Sequence, residues 1–93
     1  MNDKIKVGIV GSKFAADFHA FSYHRNPTVE IVAAAAIDNL APFSKKWNIP
    51  RTYADYNEML AKEDLDLVSV CAPNFLHHDV VLAAASHGKH VFC

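Results

Sequence analysis

Residues 5–16 read IKVGIVGSKFAA, and the reading of this stretch decides the fold. Ile5 to Val10 is a largely apolar run of strand length, ended by Gly11. A run of this kind, bounded by a turn residue, suits a strand buried on both faces. Phe14–His24 follows at once with helical periodicity, Phe14, Phe18 and Phe21 recurring at i, i+4 and i+7. A buried strand, a glycine turn and a helix start together predict the first unit of a parallel sheet with crossover helices.

The pattern repeats along the chain. Asn26-Pro27 ends the first helix, because the residue before proline avoids the helical region. Residues 29–37 (VEIVAAAAI) predict a second strand and Leu40–Trp47 a short helix. Residues 49–53 contain Pro50, which restricts them to a short or edge strand. Tyr56–Lys62 is a helix with Asp55 as its cap. Residues 65–71 form a clear strand, and 76–87 a helix closed by Gly88. Residues 90–93 begin a last strand. The sum is an α/β, doubly wound parallel sheet with strand order 3-2-1-4-5, read as one domain over residues 1–93. The sequence stops inside a strand, which is read as a piece of a longer protein lacking the last strands and any second domain. On that reading the isolated stretch self-associates or is marginally stable, since its sheet edge lies open.

In such a sheet the ligand lies beyond the carboxyl ends of the strands. Residues 11–16 stand where a dinucleotide-binding chain carries Gly-x-Gly-x-x-Gly, and only the first glycine is present. Gly11 permits the tight turn, Ser12 brings a hydroxyl, and Ala16 is a small substitute for the third glycine. The start of the helix offers unpaired N–H groups and a positive dipole end to a diphosphate. Lys13 has two readings. Its ammonium neutralises a pyrophosphate or a 2′-phosphate, or it is a solvated lysine on a permissive loop. Asp38 also has two: a ligand for ribose hydroxyls, 27 residues after Gly11, or a cap for the next helix. Residues 71–78, CAPNFLHH, face the first loop across the crevice, so Ala72, Pro73 and Asn74 are candidates for the nicotinamide end of a cofactor. A structural account competes, with Pro73 breaking the strand and Asn74 capping the helix.

Bulk properties narrow the partners. The chain has nine Lys and Arg against ten Asp and Glu, a net charge of −1, and 52% hydrophobic residues. That balance supports neither nucleic acid nor a membrane surface as partner. Cys71 and Cys93 form no CxxC pair, which suits free thiols in the cytoplasm. Six histidines show no metal-ligand spacing and read as surface residues; no metal site is expected.

The stretches KVGIVGSKFAADFHA, VEIVAAAAID and YADYNEMLAKEDLDLVSVCAPNFLHHDVVLAAASHGKHVFC resemble the N-terminal domain of the glucose–fructose oxidoreductase/inositol dehydrogenase family. APNFLH followed by AAASHGKHVFC is the most specific part. The resemblance implies NAD or NADP as cofactor. It places Gly11, Ser12, Phe14 and Ala15 on the pyrophosphate turn and Pro73, Asn74 and His77 near the nicotinamide and its ribose. The family's acidic ribose ligand aligns with Ala36, which, with Lys13 for the second glycine, keeps NADP open. The family's hydride-transfer lysine would lie beyond Cys93, so no catalytic residue is expected within the 93 residues. The implied full-length enzyme is a homo-oligomeric dehydrogenase of a sugar, polyol or related CH–OH substrate. The alternatives are a stand-alone, non-catalytic nucleotide-binding or sensor module, and a sheet domain with a vestigial site.

Overall fold

A computed structural model of the chain describes residues 4–72 and 74–92, with side chains for all of these but Phe14, Asn74 and Phe75. Strands and helices alternate: β1 (Ile5–Val10), α1 (Phe14–His24), β2 (Val29–Ala35), α2 (Leu40–Trp47), β3 (Arg51–Tyr53), α3 (Tyr56–Lys62), β4 (Leu67–Val70), α4 (Asn74–Ser86) and β5 (His90–Phe92). The strands form one sheet in the order β3-β2-β1-β4-β5, with every pair parallel. This is the expected order, with its topological switch between β1 and β4.

Each face of the sheet carries its own core. On one, Val7 and Ile9 of β1 pack with Ala16 and Ala20 of α1 and Phe43 of α2. On the other, Val10, Val68 and Val70 pack with Met59 and Leu60 of α3 and Val80 and Ala84 of α4. Burial on both faces is why these strands read as apolar runs and not as alternations. Gly8 of β1 packs closely under the α3 side, since a Cβ there would lie 2.6 Å from a Leu65 methyl and 3.1 Å from the Met59 methyl, which would have to shift. The β1–β2 register slips by one residue between Val7–Ile31 and Gly8–Ala33, and Val32 and Ala33 both join the α3/α4 core.

Several expectations are corrected. The second strand ends at Ala35, not 37, and Ile37 is 85% exposed. The others are trimmed to Arg51–Tyr53 and Leu67–Val70, and the last helix runs Asn74–Ser86. The phenylalanine face of α1 does not meet the sheet: Phe18 is 67% exposed and Phe21 48%, while Ala16 and Ala20 are fully buried. A crossover helix lying close on a strand needs small residues at the contact, and size outweighs hydrophobicity there.

Short side-chain bonds fasten the edges. Glu63, just past α3, has a side chain only 6% exposed. Its Oε2 accepts from Arg51 Nε at 2.6 Å and from the Tyr53 hydroxyl at 2.5 Å, tying edge strand β3 to α3. The Arg51 hydrogen bond holds the Glu63 carboxyl below its ordinary range, against the opposing effect of burial. Under α1, the Tyr23 hydroxyl donates to Ser69 Oγ at 3.0 Å, and Ser69 Oγ lies 2.5 Å from His19 Nδ1. Ser69 is fully buried, and burial lowers the pKa of His19. Among the described residues no helix is long and apolar enough to cross a membrane.

Candidate functional site

The carboxyl ends of β1, β2 and β4 open into one cleft of about 740 Å³, within the size range of small-molecule sites. Gly11, Ser12, Lys13, Ala15, Asp38 and Ala72, all expected from the sequence, line it together. Its floor is apolar, from Val10, Ala35 and Ala36, and the β3–α3 connection (Ala54, Asp55 and Tyr56) forms a wall that sequence reasoning missed. The signal was available: once β3 lies beside β2, the loop after β3 must reach the same edge. A second cleft, of about 490 Å³, is lined by residues such as Lys4, Asn26 and Pro27, which flank the amino ends of β1 and β2, away from the switch point.

Gly11 makes the turn into the cleft with φ +122°. Its N–H donates to the Ala35 carbonyl at 2.8 Å, and the Cys71 N–H donates to the Val10 carbonyl at 2.8 Å. These bonds draw β1, β2 and β4 together at their carboxyl ends. A Cβ on Gly11 would lie 2.6 Å from the Cys71 carbonyl oxygen, so both the conformation and the space exclude other residues.

Helix α1 begins over this turn without a side-chain cap. Lys13 holds the cap position in extended conformation, φ −107° and ψ −153°, and the first intrahelical bond runs from Asp17 N–H to the Lys13 carbonyl. The first-turn N–H groups therefore lack intrahelical partners and carry the positive end of the helix dipole. The Lys13 side chain is 75% exposed, with its ammonium 3.6 Å from an Asp38 carboxylate oxygen. This donor set suits a diphosphate, and the exposed lysine reaches across the mouth to a carboxylate.

Asp38 is not a helix cap. That position belongs to Asn39, in the left-handed region at φ 56°. Nor does Asn39 cap α2 with its side chain, forgoing an interaction worth about 1 kcal/mol. Its Nδ2 instead donates to the Ser12 carbonyl at 2.8 Å, while the Ser12 hydroxyl donates to the Asp38 carbonyl at 2.5 Å. The loop after β1 and the loop after β2 are thus clasped in both directions. Ser12 commits both its hydroxyl and its carbonyl to the clasp, so the hydroxyl expected to donate to a phosphate is engaged elsewhere. Asn39 was missed from sequence, although an asparagine between a strand and a helix favours left-handed backbone.

The remaining candidates are less completely placed. Phe14 and Asn74 open α1 and α4, and Pro73 lies outside the described residues. His77, half-buried in α4, is not among the residues lining the cleft. Among the described residues no three His, Cys, Asp or Glu side chains are grouped to hold a metal ion.

Comparison with known proteins agrees with this architecture. Residues 5–93 match the model of an oxidoreductase family with an NAD-binding Rossmann fold. Levoglucosan dehydrogenase of Pseudarthrobacter phenanthrenivorans is 24% identical, matching 96% of this chain and 25% of that protein. The NADP(+)-dependent scyllo-inositol 2-dehydrogenase of Bacillus subtilis is 28% identical, over 96% of this chain and 28% of its own length. Among solved structures, scyllo-inositol dehydrogenase from Lactobacillus casei, with NAD(H) and scyllo-inositol bound, superposes with a TM-score of 0.88 at 26% identity, covering 95% of this chain and 27% of that one. The chain spans about a quarter of the length of these relatives. With the match extending from β1 to the last residue, the chain belongs to the glucose–fructose oxidoreductase/inositol dehydrogenase family of oxidoreductases, those with an NAD-binding Rossmann fold.

Proposed function

We propose that residues 1–93 form the nicotinamide-dinucleotide-binding part of a dehydrogenase that acts on a sugar, polyol or related CH–OH substrate. The observation that carries the reading is the uncapped start of α1, opening into the cleft at the switch point of a family sheet. Backbone N–H groups of Lys13, Phe14 and Ala15 would hold the diphosphate. Asp38 and Lys13 stand at the mouth, where the adenosine ribose or its 2′-phosphate would bind. Ala72, Pro73 and Asn74, between the end of β4 and the start of α4, would meet the nicotinamide end. The cofactor, NAD or NADP, supplies hydride acceptance or donation at its nicotinamide ring. What this chain contributes is binding, orientation and a largely apolar floor. By this reading the proton-transferring lysine lies beyond Cys93, the full-length enzyme is a cytoplasmic homo-oligomer, and the 93 residues alone catalyse nothing. The polyol and sugar names of the relatives support the substrate class.

Fluorescence titration with NADH and NADPH tests this. Saturable binding of at least one dinucleotide is expected, and no response to millimolar concentrations of either would overturn the reading. Lys13→Gly removes a cation and leaves Asp38 unpaired, so NADPH should weaken more than NADH. An equal change in both would remove Lys13 from cofactor selection.

A further inference from the structure

We infer that Asn39 is a positioning residue for the diphosphate, acting through the Ser12–Lys13 peptide without touching the ligand; this rests on the proposed dinucleotide site. Ser12 and Lys13 line the cleft, and Asn39 does not. The Asn39 amide holds the Ser12 carbonyl at 2.8 Å. A carbonyl only accepts, so the amide must present its NH₂ group there. The Ser12–Lys13 bond is trans, like every peptide described in the chain. In a trans peptide the C=O and N–H point to opposite sides. Holding the Ser12 oxygen toward Asn39 therefore aims the Lys13 N–H the other way, toward the cleft and the start of α1. Without that hold the peptide plane is free to turn, and its oxygen would then face an anion with like charge.

Two features show that the side chain is committed to this contact. Asn39 holds the left-handed cap position of α2, yet makes no side-chain cap there. The return bond from the Ser12 hydroxyl to the Asp38 carbonyl fixes the distance between the loops, so the amide meets an oxygen that is already located. Ser12 is buried, so the carbonyl that Asn39 holds is shielded from water on its own side.

The test is Asn39→Gly in the full-length protein, since glycine keeps the left-handed backbone and removes only the amide. ADP and adenosine are titrated by calorimetry, and the Lys13 amide is followed by NMR. ADP affinity should fall about fivefold, with adenosine unchanged. The Lys13 amide signal should move on ADP addition in the wild type and respond less in the variant. Equal losses for ADP and adenosine, or no loss of ADP, would overturn the inference. If Asn39→Gly fails to fold, the wild-type Lys13 amide decides: one that is indifferent to bound ADP excludes the mechanism. Failure of the wild type to bind ADP or NADH at all would instead strike the proposed function.

Discussion

Helices α1 and α3 begin at the same edge of the sheet, and their first turns are treated in opposite ways. At α3, the Asp55 carboxylate accepts from the Asn57 N–H at 2.9 Å. The chain therefore satisfies that helix end with its own anion. At α1 the cap position holds Lys13, which makes no side-chain cap and turns to Asp38 instead. The far ends differ too, since α3 is fastened through Glu63 to Arg51 and Tyr53, whereas α1 is held by its flank through His19 and Tyr23 on Ser69. The difference teaches where stability was spent. On the proposed reading, the start of α1 leaves its first N–H groups to the cofactor's diphosphate, whereas α3 satisfies one with its own carboxylate.

The comparison can be broken from several sides. The largest effect is expected from Gly11→Ala. Its Cβ would collide with the Cys71 carbonyl in a backbone conformation that alanine resists. A loss of about 3 kcal/mol or more is expected in chemical denaturation, with dinucleotide binding abolished. A variant of wild-type stability would mean that the turn is not as tight as described.

Next is Lys13→Ser, which gives α1 the kind of cap α3 already has. The extended backbone at residue 13 suits a capping serine. Stability should rise by up to about 1 kcal/mol, while NADH affinity falls roughly tenfold because hydroxyl and diphosphate compete for the same N–H groups. Improved binding would erase the contrast between the helices. Asp55→Ala is the reciprocal change and should cost about 1 kcal/mol of stability.

The smallest effect concerns acid. Glu63 titrates below its ordinary value in the folded chain, chiefly through the Arg51 hydrogen bond. Its contribution is therefore fully present above the unfolded value, about pH 4.3, and is lost as pH falls through the lower folded value. His19 also has a lowered folded pKa, through burial, so its contribution begins to fade earlier, below about pH 6.5. Glu63→Gln should flatten the more acidic limb of a stability-against-pH curve by about 1 kcal/mol and leave the His19 limb in place. An unchanged acidic limb would remove Glu63 from the fastening of α3.

Much of this architecture was legible before any coordinates. Buried parallel strands announce themselves as apolar runs, and short connections between alternating elements leave few topologies. Hence the strand order and the bounds of α1, α2 and α3 were read correctly. What was not legible depends on contacts between distant residues or on size. Periodicity grouped Phe14, Phe18 and Phe21 on one face of α1, but the residues that pack against the sheet are Ala16 and Ala20. The pairing of Lys13 with Asp38 and the grip of Asn39 on Ser12 join residues more than twenty positions apart. Nothing local in either loop announces them.

The central claim is that backbone N–H groups at the start of α1 receive the cofactor's diphosphate. The most direct measurement is a crystal structure of the full-length protein with NADH or NADPH bound. The account predicts diphosphate oxygens within about 3.2 Å of backbone nitrogens among residues 13–15, with the Lys13 side chain outside the cup. A diphosphate lying elsewhere, or a Lys13 stem filling the space before α1, would contradict it.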